Sequence, residues 1–381
     1  MIAHQRWWMF GWTGVMLAGL VAGVQAASDL TGLVFVTNRD SHELVVIDTA
    51  TDRVLTRLPV GNRPHMAVIA QTGKVYTTGT DTNDVTVVDA ATLKVSGKIP
   101  VEAKGPEHAA LSPDGKFLWV ANVDGNAVSV IDVAAGKTVH VLTGLSQPHN
   151  IVLAPDGKAY VAQAGSYDVA VFRPEQTTPV TRLAAGSPAR LAALHPKEVH
   201  GVNNAVLARG HLFATNQDAG EVAVIDIGQD RVVDLIPVGR EPWEPYETPD
   251  HTKILVPNLA DETVSIIDVT SRKVLATLPG GKDMTGAVVT ADSKKAYVVR
   301  RGDNTVSVLD LARLQVAGEI PVGTSPEVAT RTAGGKVYVA NSGSGTVSVI
   351  DPGSDRVVTT IPEVGKHPWS LASFNGYNYC H

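Results

Sequence analysis

Beyond its first residues, the chain is a succession of apolar runs four to seven residues long, rich in Val, Ile and Thr and bounded by Gly, Asp, Asn or Pro. The runs recur about every ten residues, which predicts short β-strands joined by tight turns. A longer period lies over this one. A Val-rich run, a turn, a "VSVID" run, a second turn, then a "kVvatIpVG" run and a Pro follow one another, most clearly at Lys116–Pro148, Lys253–Gly280, Lys294–Pro326 and Lys336–Pro368. Four strands in each repeat of about 42 residues predict the blades of a β-propeller.

Two counts fix the number of blades. The third strands end at Asp48, Asp89, Asp132, Arg173, Asp226, Asp268, Asp310 and Asp351. The innermost strands begin near His65, Glu107, His149, Asn203, Trp243, Thr285, Glu327 and Trp369. Both give eight, so the expected fold is all-β: a single eight-bladed propeller of four-stranded blades. The first strand, Gly32–Thr37, has the second-strand pattern and the last, Trp369–Phe374, the first-strand pattern. The C-terminal strand should therefore complete the N-terminal blade and remove two open sheet edges. The Asp residues that end seven third strands are read as caps of the following turns rather than as catalytic acids. One blade carries an insert, Ser187–Gly201, in which Ala189–Leu194 suits a helical turn; a functional loop and a neutral insertion both fit it.

His4 and Arg6 precede an apolar run from Trp7 to Val24, and Val24-Gln25-Ala26 is a small-x-small cleavage signature. This predicts a signal peptide over residues 1–26, cut after Ala26, and a periplasmic or secreted propeller over 27–381. An uncleaved anchor is the rival reading, since about 18 apolar residues lies at the lower edge of a membrane span. No other run approaches that length, so no integral membrane segment is expected after cleavage.

The 381 residues are 44% hydrophobic and 18% charged, enough for a large core, and carry a formal net charge of −6. That balance argues against a general nucleic-acid binder. A single Cys excludes an internal disulfide, Cys-pair metal motifs and covalent c-type haem. GxSxG, HExxH and GxxxxGK[ST] motifs are absent, so no catalytic residue is named.

The segments "VYVANSGSGTVSVID" and "FLWVANVDGNAVSVIDVAAGKTVHVL" (the latter Phe117–Leu142) resemble the YVTN-type β-propeller repeat family of surface-layer-like, YncE-like exported proteins. The likeness covers nearly all of the chain after the apolar N-terminus. It implies the fold but no one function, since that family includes adhesive, DNA-binding and other exported members. The repeats are also similar to the eight-bladed haem d1 domains of nitrite reductases and their biosynthetic relatives. That likeness implies a modified haem over the central channel with His residues at its mouth.

Candidate chemistry gathers where the inner strands begin. Three consecutive blades read "PHM" (His65), "PEH" (Glu107, His108) and "PHN" (His149), and His200 lies on the insert just before the next inner strand. Equivalent positions of adjacent blades face one axis. His65, His108, His149 and His200 are thus candidate ligands for copper, zinc or iron, or axial ligands for a haem-type cofactor. The plainer reading is a wet channel mouth. Arg63, Lys104, Arg240, Lys282 and Lys366 precede the same strands and would draw an anionic small molecule, although Glu107, Glu241, Asp283 and Glu327 lie nearby. Trp243, Tyr246 and Trp369 could pack on a planar ligand or simply close the inner strands. His42, His140, His211 and His251 read as surface residues, Arg300-Arg301 as a local departure from the usual "YVAN", and Cys380-His381 as a tail. Two functions follow: a non-catalytic exported binding module for a ligand or protein partner, or a redox or cofactor-handling protein using the mouth histidines.

Overall fold

The computed structural model describes residues 30–194 and 199–374. The expected signal segment, the middle of the insert and the Cys380-His381 tail lie outside them. The described residues form eight four-stranded antiparallel sheets, and the inner strand of each touches those of both neighbours, so the ring is closed. Blade 1 consists of Leu33–Asn38, Glu43–Asp48 and Arg53–Pro59, completed by Pro368–Ser373 from the far end of the sequence. Blades 2 to 8 follow in order, with inner strands Pro64–Ile69, Pro106–Leu111, Pro148–Leu153, Val202–Ala208, Tyr246–Glu247, Met284–Val289 and Pro326–Arg331.

Burial explains the sequence pattern. The second and third strands of a blade are covered on both faces by neighbouring blades, and Thr263–Asp268 is buried through its four central residues. Such strands read as continuous Val/Ile runs. Outer strands are covered on one face only, so Lys273–Pro279 alternates exposed and covered positions. All seven third-strand aspartates cap their turns: Asp48, Asp89, Asp132, Asp226, Asp268, Asp310 and Asp351 accept backbone N–H groups at 2.7–3.1 Å.

Three blade junctions share a staple. Lys158 and Tyr160 of blade 4 reach Asp230 in the outer turn of blade 5, at 2.8 and 2.5 Å. Lys295 and Tyr297 of blade 7 hold Asp355 of blade 8, at 2.6 and 2.5 Å. Lys336 and Tyr338 of blade 8 hold Asp52 of blade 1 across the seam between the chain ends. Each aspartate has a left-handed backbone, with φ of 49° to 53°.

Two places depart from the repeat. The inner strand of blade 6, expected to begin at Trp243, is reduced to Tyr246–Glu247 plus a bridge between Pro242 and Asn258. Pro242 stands where other inner strands also begin with Pro, but Pro245 has no N–H to give to the ladder, which is interrupted there. In blade 7, Arg300 replaces the usual Asn and bonds Asp303 and Glu319. Its guanidinium covers Gly281 (φ +109°) so closely that a Cβ there would overlap it. The insert forms the short helix Pro188–Ala193, close to the expected turn.

Candidate metal centre at the channel mouth

In most blades the residue before the inner strand has a left-handed backbone: Arg63, Gly105, Gln147, Glu241, Asp283, Ser325 and His367 have φ between 45° and 70°. A register shift follows within the first residues of the strand, between Pro64 and Ala67, Pro106 and Ala109, and Pro148 and Ile151. Such bulges re-aim side chains, and here they fall on the "HM", "EH" and "HN" pairs. Threonines of the preceding blade pin the same segments, Thr37 donating to the His65 carbonyl at 3.2 Å and Thr78 to the Glu107 carbonyl at 2.9 Å.

The result is an arc of side chains across blades 2 to 4. His65, His108 and His149 are 3%, 4% and 9% exposed. The His65 and His108 ring centres lie 5.2 Å apart, and those of His108 and His149 3.8 Å. His65 Nε2 stands 3.7 Å from Glu107 Oε2. One donor atom from each of His65, Glu107 and His108 can be chosen so that all lie within 4.8 Å of one another. His149 places Nδ1 3.1 Å from the Asn203 carbonyl. A carbonyl only accepts, so Nδ1 carries the proton and a neutral His149 keeps its lone pair on Nε2. Burial pushes the Glu107 carboxyl up, while Arg39 and Arg63 pull it back toward ionisation. Imidazole nitrogens with one carboxylate are a donor set for a divalent transition metal.

The other sequence candidates are placed as follows. His200 is exposed and lies beside Asp218, its Nδ1 3.6 Å from that carboxylate. Trp369 borders the arc, edge-on to His65 at 5.8 Å. Trp243 is half-buried on blade 6, four blades round the ring from His65. Arg63 pairs with Asp81 at 3.3 Å and Arg240 with Asp261 at 2.6 Å, each within its own blade, while Lys104 is exposed.

Three contributors escaped the sequence reading. Arg39 lies over the Trp369 ring, its Cζ 4.2 Å from the centroid. His367 meets the other side of the site, 5.4 Å from Trp369 and 3.3 Å from Asp40. Glu244, on blade 6 at the repeat position of His108, is 4% exposed, and burial pushes its carboxyl up to about 8 although the Tyr246 hydroxyl donates to it at 2.9 Å. The signal for Arg39 was its place directly after a second strand, the position Arg301 holds in blade 7. Arg301 shows what that position can do: it bonds Asp283 and, at 3.0 Å, the buried Glu327. Glu107 and Glu327 thus occupy one repeat position with different partners, imidazole for the first and guanidinium for the second.

A family model described as "YNCE-like beta-propeller" matches residues 66–375. The chain belongs to the YNCE-like β-propeller family. No curated protein sequence matches it. Among solved structures, this YNCE-like chain is similar to dihydro-heme d1 dehydrogenase NirN in complex with DHE, with a TM-score of 0.73 and 19% identity over 92% of this chain and 76% of that one. Hydrazine synthase of Kuenenia stuttgartiensis gives a TM-score of 0.57 and 24% identity over 75% and 95%. Apo AztD from Citrobacter koseri gives 0.68 and 12% over 91% and 98%. At these identities the likeness concerns the fold alone. Among the described residues, no helix is long and apolar enough to cross a membrane.

Proposed function

We propose that the chain is an exported, non-catalytic binding propeller whose channel mouth takes a divalent transition-metal ion through His65, Glu107 and His108, with His149 beside them. The observation that carries this reading is the convergence of the three donor groups within 4.8 Å. Two of them are buried imidazoles on different blades. The closed ring fixes the scaffold, so the donors need only small side-chain movements to close on an ion. Export rests on the apolar N-terminal run and the small-x-small motif at Ala26.

Handling of a haem-type cofactor is the second reading, favoured by the overlap with NirN and by the lone pair that His149 holds on Nε2. One of the three imidazoles would hold its iron, and the group would supply redox chemistry. Trp369 offers a ring beside the site. Against it, Arg63 and Arg240, two of the expected cationic partners of a carboxylated macrocycle beside Lys104, are already paired with Asp81 and Asp261. The small-ion reading is therefore preferred.

The purified protein is incubated with Cu(II) or Zn(II), desalted and measured for bound metal, and protein from its native compartment is scanned in the visible range. One retained ion per chain, lost in the His65→Ala/His108→Ala variant, supports the metal reading. Equal retention in that variant, or none in the parent, overturns it. A haem absorption band in the native preparation selects the second reading.

A further inference from the structure

The junction between blades 3 and 4 lacks the staple seen at three others. Phe117 and Trp119 pair with Asp132 and Val130 in the register in which Lys295 and Tyr297 pair with Asp310 and Val308. Aromatic carbon therefore stands where the stapled blades carry an ammonium and a phenol. The opposing turn has changed too. The third strand of blade 4 ends at Phe172, Arg173 takes the place of the capping aspartate, and Pro174 follows. Its outer strand begins only at Thr181 and has four residues.

The unfilled space is a groove of about 450 Å³ on the face away from His65, His108 and His149, with His140 in its lining. Phe117, Trp119, Leu142 and Leu153 supply apolar wall, and Asp114, Asp156 and Glu175 stand around it, with no Lys or Arg in the lining. Asp114 and Asp156 are half-exposed and each has a Lys of its own hairpin within 3.3 Å. The exposed Glu175 makes no ion pair among the described residues, and its backbone φ of +69° lifts it on the turn. An apolar ligand would have no use for the carboxylates, and a bare metal ion none for the aromatic wall.

We propose that this groove receives an arginine side chain presented by a partner protein. A guanidinium is flat, weakly hydrated and stacks on aromatic rings, and its aliphatic stem covers apolar wall while the charge meets carboxylate. The groove thus accepts from outside what the sibling junctions supply from within, a cation facing an acidic turn. The site is independent of the metal reading.

The test uses the full chain and N-acetyl-L-arginine methylamide, followed by NMR at the Trp119 indole N–H, with the citrulline analogue as an uncharged control. Saturable shifts at Trp119 are expected, with a dissociation constant on the order of 1 mM and binding at least about tenfold weaker for citrulline. Glu175→Gln, an exposed change that leaves the core intact, should weaken arginine binding about threefold. The His65→Ala/His108→Ala variant should respond as the parent does. Absence of saturable shifts at Trp119, equal binding of citrulline, or an unchanged response in Glu175→Gln overturns the proposal.

Discussion

His108 and His149, on the inner strands of adjacent blades, hold their imidazole rings 3.8 Å apart and tilted by 43°. The contact makes His149 a wall for His108 as well as a potential ligand. If His65, Glu107 and His108 bind the ion, His149 acts mainly by fixing the His108 ring. We expect His149→Ala to weaken metal binding about tenfold, as the loss of a supporting group does, while His108→Ala removes measurable binding. Equilibrium dialysis against Zn(II) separates the two; equal losses would make His149 a direct ligand of the same rank.

Glu244 predicts a pH dependence. Its carboxyl is raised from 4.5 to about 8 by burial, so the folded chain keeps a proton that the unfolded chain releases. Below about 4.5 both states are protonated and the group leaves stability unaffected by pH. Between 4.5 and 8 stability falls as pH rises, by a total on the order of 5 kcal/mol. Glu244→Gln stays neutral throughout. Urea midpoints should therefore nearly coincide at pH 4 and diverge by pH 8, with the variant the more stable; parallel curves would refute the assignment.

The three staples should rank by burial. The Lys158–Asp230 pair is covered, with side chains 10% and 16% exposed, whereas Lys295 and Asp355 are each 33% exposed. Removing a carboxylate leaves a Lys and a Tyr without their partner, and that cost grows as water is excluded. Asp230→Ala should cost about 3 kcal/mol and Asp355→Ala about 1 kcal/mol in chemical denaturation. The reverse order would show that burial of the pair does not set what the staple contributes.

What the sequence disclosed follows from how local each cause is. Val264 to Ile267 read as strand because both their faces are buried, and Asp268 as a cap because its turn lies beside it. The arc was legible because His65, Glu107 and His149 hold equal repeat positions, which on adjacent blades must face one axis, and His108 follows Glu107 directly. Arg39 and His367 were not, since Arg39 finds Trp369, and His367 finds Asp40, only when the two ends of the chain are brought together. The staples escaped for a similar reason: Tyr160 finds Asp230 only through the next blade. Trp243 was misjudged as a strand start because Pro245, three residues from Pro242, breaks the ladder that the repeat led one to expect.

Ring closure yields the last prediction. Val34 to Asn38 pair with Pro368–Ser373, and Leu371 and Ala372 are fully buried against blades from both ends of the sequence. Deleting residues 368–381 would remove the inner strand of blade 1, Trp369 from the mouth, and the cover over Val36 and Phe35. An unpaired, apolar edge would then face the channel, which water cannot satisfy and a second chain could. The truncated protein should be unfolded or oligomeric by size-exclusion chromatography and far-UV circular dichroism. Supplying the missing strand as a peptide of residues 362–376 should restore a monomer. A truncated chain that remained a folded monomer without the peptide would mean that seven complete blades and the staple at Asp52 suffice to hold the ring.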